Sequence, residues 1–277
     1  MYGNDLISQF GDKEKKQGFL NLDKLDYHIL YSPKWHKATF VEINGKKYYI
    51  KNQENDNDRA SAEIINGILF NKAGIASAEY LPIEFENKKC LISNDVLGQD
   101  CMSICSYEVS LIDKKNIYFK PFLFAKNKRY ENFDRLSLVT LDCLRQNLIT
   151  NAIDLGINNW DGTNNNRGVQ VVNGIATAMR VFDNEGSGWG WNENINEFTN
   201  SFVSHRLSHE EIINHYKTNQ EYRQYITPQE LAEVVGSLPI DESAKEITEQ
   251  TGHQFNQNYI DFLKFNTDRT AEELEHC

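Results

Sequence analysis

The chain of 277 residues is 40% hydrophobic and 12% aromatic, enough apolar mass to bury a core as one large domain or as two lobes. Its formal net charge of −11 argues against a nucleic-acid partner or stable association with an anionic membrane, because both attract basic surfaces. No apolar run approaches the ~20 residues of a membrane span, and the N-terminus lacks the basic flank and apolar core of a signal peptide.

Residues 26–33 (DYHILYSP) are expected to form a strand that ends in a turn. Residues 38–43 and 47–51 are expected as two more, joined at Asn44-Gly45, a dipeptide suited to the positive φ values of a tight hairpin. Lys51 closes the second of them. A lysine at a strand end is ordinarily solvated, but this one stands just before a helix that carries an acid. That helix, 55–73, opens on capping residues, turns strongly apolar and stops at Gly74. Glu63 lies in its first half. A buried carboxylate there needs a partner, and Lys51 is the nearest candidate upstream; an exposed one is simply an anion suited to the start of a helix. Gly67, one turn on along the same face, leaves room for a second backbone. Strands at 79–85 and 88–93, around Glu86-Asn87, complete a small antiparallel sheet with one helix.

Residues 94–106 break this pattern and are the expected hinge between two lobes, 1–95 and 96–277. From Asn132 the chain is expected to be helical, with Leu141, Leu144 and Leu148 spaced i, i+3, i+7. The helix leads into NNWDGTNNN, in which Asp161 opens a Gly/Asn-rich loop and Asn166 follows five residues later. A strand at 174–182 then delivers Asp183 at its C-terminal end. Loops of this composition are also ordinary turn chemistry. Kinase-type phosphoryl transfer, however, needs this set: one carboxylate for the attacking hydroxyl, and an Asn and a second carboxylate for Mg2+.

Beyond a Gly/Trp-rich stretch, 208–211 and 227–230 have capping-box form, the second with Pro at the first helical position. Leu231, Val234, Val235 and Leu238 form one apolar face before Pro239. A helix around 259–265 and an acidic tail finish the chain. His205, His209 and His215 lack metal-site spacing and read as solvated. Cys90, Cys101, Cys105, Cys143 and Cys277 form no CxxC pair, so reduced thiols in a cytosolic (cytoplasmic) compartment are expected, in a bacterium or in a host cell.

Taken in order, these parts resemble a two-lobed kinase. NNWDGTNNN, with Asn159, Asp161 and Asn166, resembles the catalytic loop of the atypical kinases that include HipA-type toxin kinases and type II phosphatidylinositol 4-kinases. VFDN resembles their metal-binding segment, ASAEIINGILFNKAGI their Glu-bearing helix and ITPQELAEVVGSLPI their closing helices. The resemblance spans nearly the whole chain. It implies an α+β, two-lobed protein-kinase-like fold, with a small antiparallel sheet and one helix in the N-lobe and a mainly helical C-lobe.

The same resemblance implies an ATP- and Mg2+-dependent kinase that phosphorylates a hydroxyl, most simply Ser or Thr of a protein substrate. A phosphoinositide or small-molecule kinase, a kinase-fold nucleotidyltransferase and a nucleotide-binding pseudokinase are the alternatives. It gives Asp161 the hydroxyl, Asn166 and Asp183 the Mg2+, and Lys51, held by Glu63, the nucleotide phosphates. The chain departs from the pattern at 31–39 (YSPKWHKAT), where the phosphate-covering loop should lie and no glycine is found. Ser32, Lys34, His36 and Lys37 would have to meet the nucleotide by side chain, and Ser32 is a candidate for autophosphorylation.

Overall fold

The computed structural model describes residues 20–32, 38–52, 57–94, 101–103, 139–159, 166–182, 213–214, 217–218 and 223–277. Two hairpins merge into its first sheet. β1 (Leu20–Asn21), β2 (His28–Tyr31), β3 (Ala38–Ile43) and β4 (Lys46–Asn52) precede helix α1 (Asn57–Lys72) and the two-residue β5 (Ala76–Ser77). The second hairpin, β6 (Tyr80–Phe85) and β7 (Lys88–Asn94), follows. Asn44 and Gly45 take φ of 50° and 74°, and Glu86 and Asn87 take 52° and 59°, the positive values that two-residue hairpin turns require. β4 then pairs antiparallel with β7, Ile50 opposite Ile92, so the strand order is β1-β6-β7-β4-β3-β2. The sheet is not wholly antiparallel, since β1 runs parallel to β6. The strand expected at 26–33 is confined to His28–Tyr31, an edge strand with all four residues exposed.

α1 is apolar on more than one side because it faces two cores. Ala60, Ile64 and Ile68, spaced by one turn, pack under the six-stranded sheet, where Ile247 from the far end of the chain joins them. Ala62, Ile65, Leu69 and Phe70 face a second core. That core is built on a second sheet, ordered β5-β10-β9-β8, from β5, β8 (Cys101–Ser103), β9 (Arg167–Val172) and β10 (Ile175–Val181). The expected hinge therefore contains a strand; its residues 95–100, where the two lobes were to divide, lie outside the described residues.

α2 (Leu141–Gly156) crosses this second core, capped by the Thr140 hydroxyl, which accepts from Cys143 N. Val139 is still extended and bridges to Ala176, so the helix expected from Asn132 starts at Leu141; residues 132–138 lie outside the described residues. Leu141 does not join the stripe. It occupies the first turn beyond the cap and is 63% exposed, while Cys143, Leu144 and Leu148 are buried.

Three helices close the chain: α3 (Pro228–Gly236), α4 (Ile240–Thr251) and α5 (Gln257–Glu275). The Thr227/Glu230 capping box is formed in both directions. The acidic tail is helix, since α5 runs on to Glu275 with Leu274 fully buried. The 208–211 cap and the three histidines His205, His209 and His215 lie outside the described residues. Cys90, Cys101, Cys143 and Cys277 are thiols, not disulfides, and burial pushes the Cys143 thiol up to about 12. Among the described residues no helix is long and apolar enough to cross a membrane.

Candidate functional site

Strand alternation turns Lys51 to the face opposite Tyr48 and Ile50, which are buried. Its Nζ donates to Oε1 of Glu63 at 2.6 Å. The Glu63 side chain is fully buried, whereas that of Lys51 keeps 15% exposure. The two bland readings therefore fail: the lysine is not a solvated strand end, and the carboxylate is not a surface anion. The carboxylate is thereby fixed, with the lysine ammonium held against it. Gly67 explains how α1 comes so close to its surroundings. A Cβ there would lie 2.3 Å from the carbonyl oxygen of Ala78.

On the other side of α1, the last turn of α2 carries Asp154, 1% exposed. It accepts from Asn159 Nδ2 at 2.8 Å, and its carbonyl accepts from Asn159 N at 2.7 Å, a turn made possible by Asn158 at φ 50°. Arg167 donates to the same carboxylate through Nε, at 3.3 Å, and through Nη2. Its third nitrogen, Nη1, donates to the carbonyl of Asn166 at 2.9 Å. That carbonyl also accepts from Phe182 N at 3.4 Å. Asn166 is thus set beside Phe182, the residue that precedes Asp183 in the chain.

Further contacts fasten the end of β10 to the chain that follows α1. Ala78 N donates to Val181 O at 2.8 Å, and the Tyr80 hydroxyl donates to Phe182 O. The Arg167 guanidinium carbon stands 5.4 Å from the ring centre of Phe70, on α1. Glu63 and Asn166 therefore sit at two ends of one packed unit. Where the phosphate loop is expected, Ser32 Oγ, just after β2, lies 3.2 Å from Thr39 Oγ1 on β3. Asp161 and Asp183 lie outside the described residues, as do Lys34, His36 and Lys37.

Of the expected site residues, then, Lys51 meets Glu63, Asn166 is seated next to the chain leading to Asp183, and Ser32 lies beside Thr39. The amide oxygen of Asn166 is a hard neutral donor and its side chain is partly exposed, which fits Mg2+ better than a softer metal. Asp154 and Arg167 are new. No local signal singles them out: LITNAIDLG and RGVQVV also hold Thr150, Asn151 and Gln170, so a charge there reads as solvated as readily as buried. His253 is new as well: buried, with Nε2 2.9 Å from Ser61 Oγ on α1, and pushed down to about 4 by burial and by nearby Lys89.

No family model matches the sequence, and no curated protein matches it. The fold does have solved counterparts. The proinflammatory kinase CtkA of Helicobacter pylori matches with a TM-score of 0.60 at 12% identity, over 92% of this chain and 95% of that one. HipA of Shewanella oneidensis MR-1, solved with HipB and operator DNA, matches at 0.46 and 10% identity, over 90% of this chain and 63% of that one. Choline kinase LicA of Streptococcus pneumoniae matches at 0.30 and 14%, over 91% and 94%. The match to CtkA shows an α+β, kinase-like fold. The two lower scores add nothing to that.

Proposed function

We propose that the chain is a kinase that uses ATP and Mg2+ to phosphorylate a serine or threonine hydroxyl of a protein, in the cytosol. The observation that carries the reading is the contact between Lys51 and fully buried Glu63 on a kinase-like fold. An ion pair with one member fully buried is costly to build, and replacing it by apolar groups is often neutral or stabilising, so stability alone explains it poorly.

In this reading the Glu63 carboxylate holds the Lys51 ammonium against oxygens of the α- and β-phosphates. Asn166 and Asp183 are the residues that would hold Mg2+, which when bound would neutralise negative charge on the phosphates. Asp161 orients the acceptor hydroxyl. The hydroxyl oxygen bonds to the γ-phosphorus, the bond from that phosphorus to the β-phosphate oxygen breaks, ADP leaves, and the hydroxyl proton passes to the Asp161 carboxylate. Positioning and charge stabilisation supply most of the barrier reduction. Ser32, Lys34, His36 and Lys37 would replace the backbone N–H groups of a glycine-rich loop.

A protein acceptor is favoured over a lipid because a chain at −11 is repelled from the anionic surfaces on which phosphoinositides sit. The glycine-free segment at 31–39 favours one second reading, a nucleotide-binding pseudokinase. Incubation with γ- or α-labelled ATP and Mg2+ decides among these. Label on protein from the γ position only, including on the chain itself, is the expected result. Label from the α position would mean nucleotidyl transfer, labelled phosphatidylinositol without labelled protein a lipid kinase, and nucleotide-dependent thermal stabilisation without label a pseudokinase.

A further inference from the structure

Asp154 is a carboxylate buried between Ile153 and Leu155, both buried themselves. Taking it out of water is costly unless its oxygens are well partnered. The partners it has come from either side of one segment. Asn159, which enters residues 160–165, donates to it from Nδ2 and donates its backbone N–H to the Asp154 carbonyl. Arg167, one residue beyond the exit, donates to it twice. The same guanidinium then holds the Asn166 carbonyl, which Phe182 N also meets, and covers Phe70 two turns along α1 from Glu63.

We propose that Asp154 is a positioning residue: it fixes Asn159 and, through Arg167, Asn166, so that both ends of the 160–165 segment are held in register with β10 and with α1. The catalytic consequence rests on the kinase reading, but the brace does not. A purely structural ion pair would behave differently, because replacing a buried pair by apolar side chains of similar volume is often neutral or stabilising. Asp154→Leu combined with Arg167→Met makes that replacement. Asn159→Ala cuts only the leading contact and leaves the ion pair in place.

The two variants and the wild type are compared by hydrogen exchange, by thermal melting and by single-turnover transfer from γ-labelled ATP. With the melting temperature held, exchange in peptides covering 157–159 and 166–169 should rise about tenfold or more while peptides within 141–153 stay protected. Transfer should fall about 100-fold in the double variant, the scale on which a misplacement of about 1 Å acts. The magnesium concentration for half-maximal transfer should rise with it, a shift that a merely structural role would not produce. Unchanged exchange at 157–159 and 166–169 in both variants overturns the brace, and so does loosening spread evenly through α2. Raised exchange with transfer and magnesium dependence unchanged overturns the positioning role. A wild type that transfers no label sinks the kinase reading instead, and the exchange result alone then decides the brace.

Discussion

His253 and Ser61, 192 positions apart, lie 2.9 Å from each other inside the protein and join the C-terminal helices to the helix that carries Glu63. Ser61 is 1% exposed and His253 6%, so this contact is sealed from water. Lys72 Nζ and Glu246 Oε2, 3.1 Å apart, make a second, exposed link between α1 and α4, worth far less for its exposure. α1 is thus held from the side away from Lys51.

The buried imidazole gives the fold a pH dependence of definite sign. Folded His253 titrates near 4, held down first by burial and then by Lys89, against 6.5 for an unperturbed histidine. The unfolded chain binds the extra proton between those values, so the stabilisation is complete above pH 6.5 and is lost progressively as pH falls towards 4. At pH 5 the loss is on the order of 2 kcal/mol. His253→Gln keeps a hydrogen-bonding side chain near Ser61 and does not titrate. Urea midpoints at pH 7 and pH 5 should diverge more for the wild type than for this variant; equal divergence would mean that His253 charges freely in the folded protein.

Lys51 and Glu63 should behave as one unit. Because the Glu63 carboxylate is fully buried, Lys51→Ala strands a charge and should cost on the order of 3 kcal/mol, visible in denaturant melts. Adding Glu63→Gln should restore part of that stability. Transfer should fall steeply in either single variant, and the double should lose less than the sum, since both damage one contact. Additive losses in both stability and transfer would separate the two residues and remove the main support for the kinase reading.

Gly67 tests the packing that brings α1 to its place. A methyl group there meets the Ala78 carbonyl at 2.3 Å, a backbone atom that cannot swing aside. Gly67→Ala should therefore destabilise by about 1–3 kcal/mol, although alanine is the better helix former by nearly 1 kcal/mol in an open position. Thermal melting gives the sign directly. A stabilised variant would show that α1 and Ala78 are further apart than the contact requires.

What the sequence shows about this fold follows the range of the interaction. The β3–β4 hairpin, the Thr227 cap and the close approach at Gly67 are written in neighbouring residues, and all were legible. Lys51 and Glu63 are twelve apart, but one ends a strand and the other sits on an apolar helix, so each calls for the other. The pairing of β4 with β7 leaves no local trace because the two strands belong to different hairpins, and that of β5 with β10 leaves none because a two-residue strand has no periodicity to read. α4 falls in a stretch that reads as helical but does not stand out as an element of its own, because the residues it buries, Ile240, Ser243, Ile247 and Thr251, are half small and polar. The end of α5 looked like a tail because its acids face solvent while one leucine, Leu274, holds the core. Asp154 and Arg167 were passed over because nothing local tells a buried charge from a solvated one.

The residues of the proposed transfer site should separate by what each one touches. Asp161 is assigned to the acceptor hydroxyl, which is no part of the nucleotide complex. Asp183 is assigned to the metal that would neutralise the phosphates. Asp161→Ala should then abolish transfer while leaving Mg2+-ATP affinity within a few-fold of the wild type, whereas Asp183→Ala should lose both, since the metal is short of a charged ligand. Asn166→Ala should fall between them. It removes a neutral donor but leaves the Asn166 carbonyl between Arg167 and Phe182, so the backbone there stays in place. Calorimetric titration of ATP with and without Mg2+, run beside the transfer assay, reads all three. If Asp161→Ala loses nucleotide while Asp183→Ala keeps it, the two roles are exchanged. If neither changes binding or transfer, NNWDGTNNN is a turn that joins α2 to β9 and nothing more.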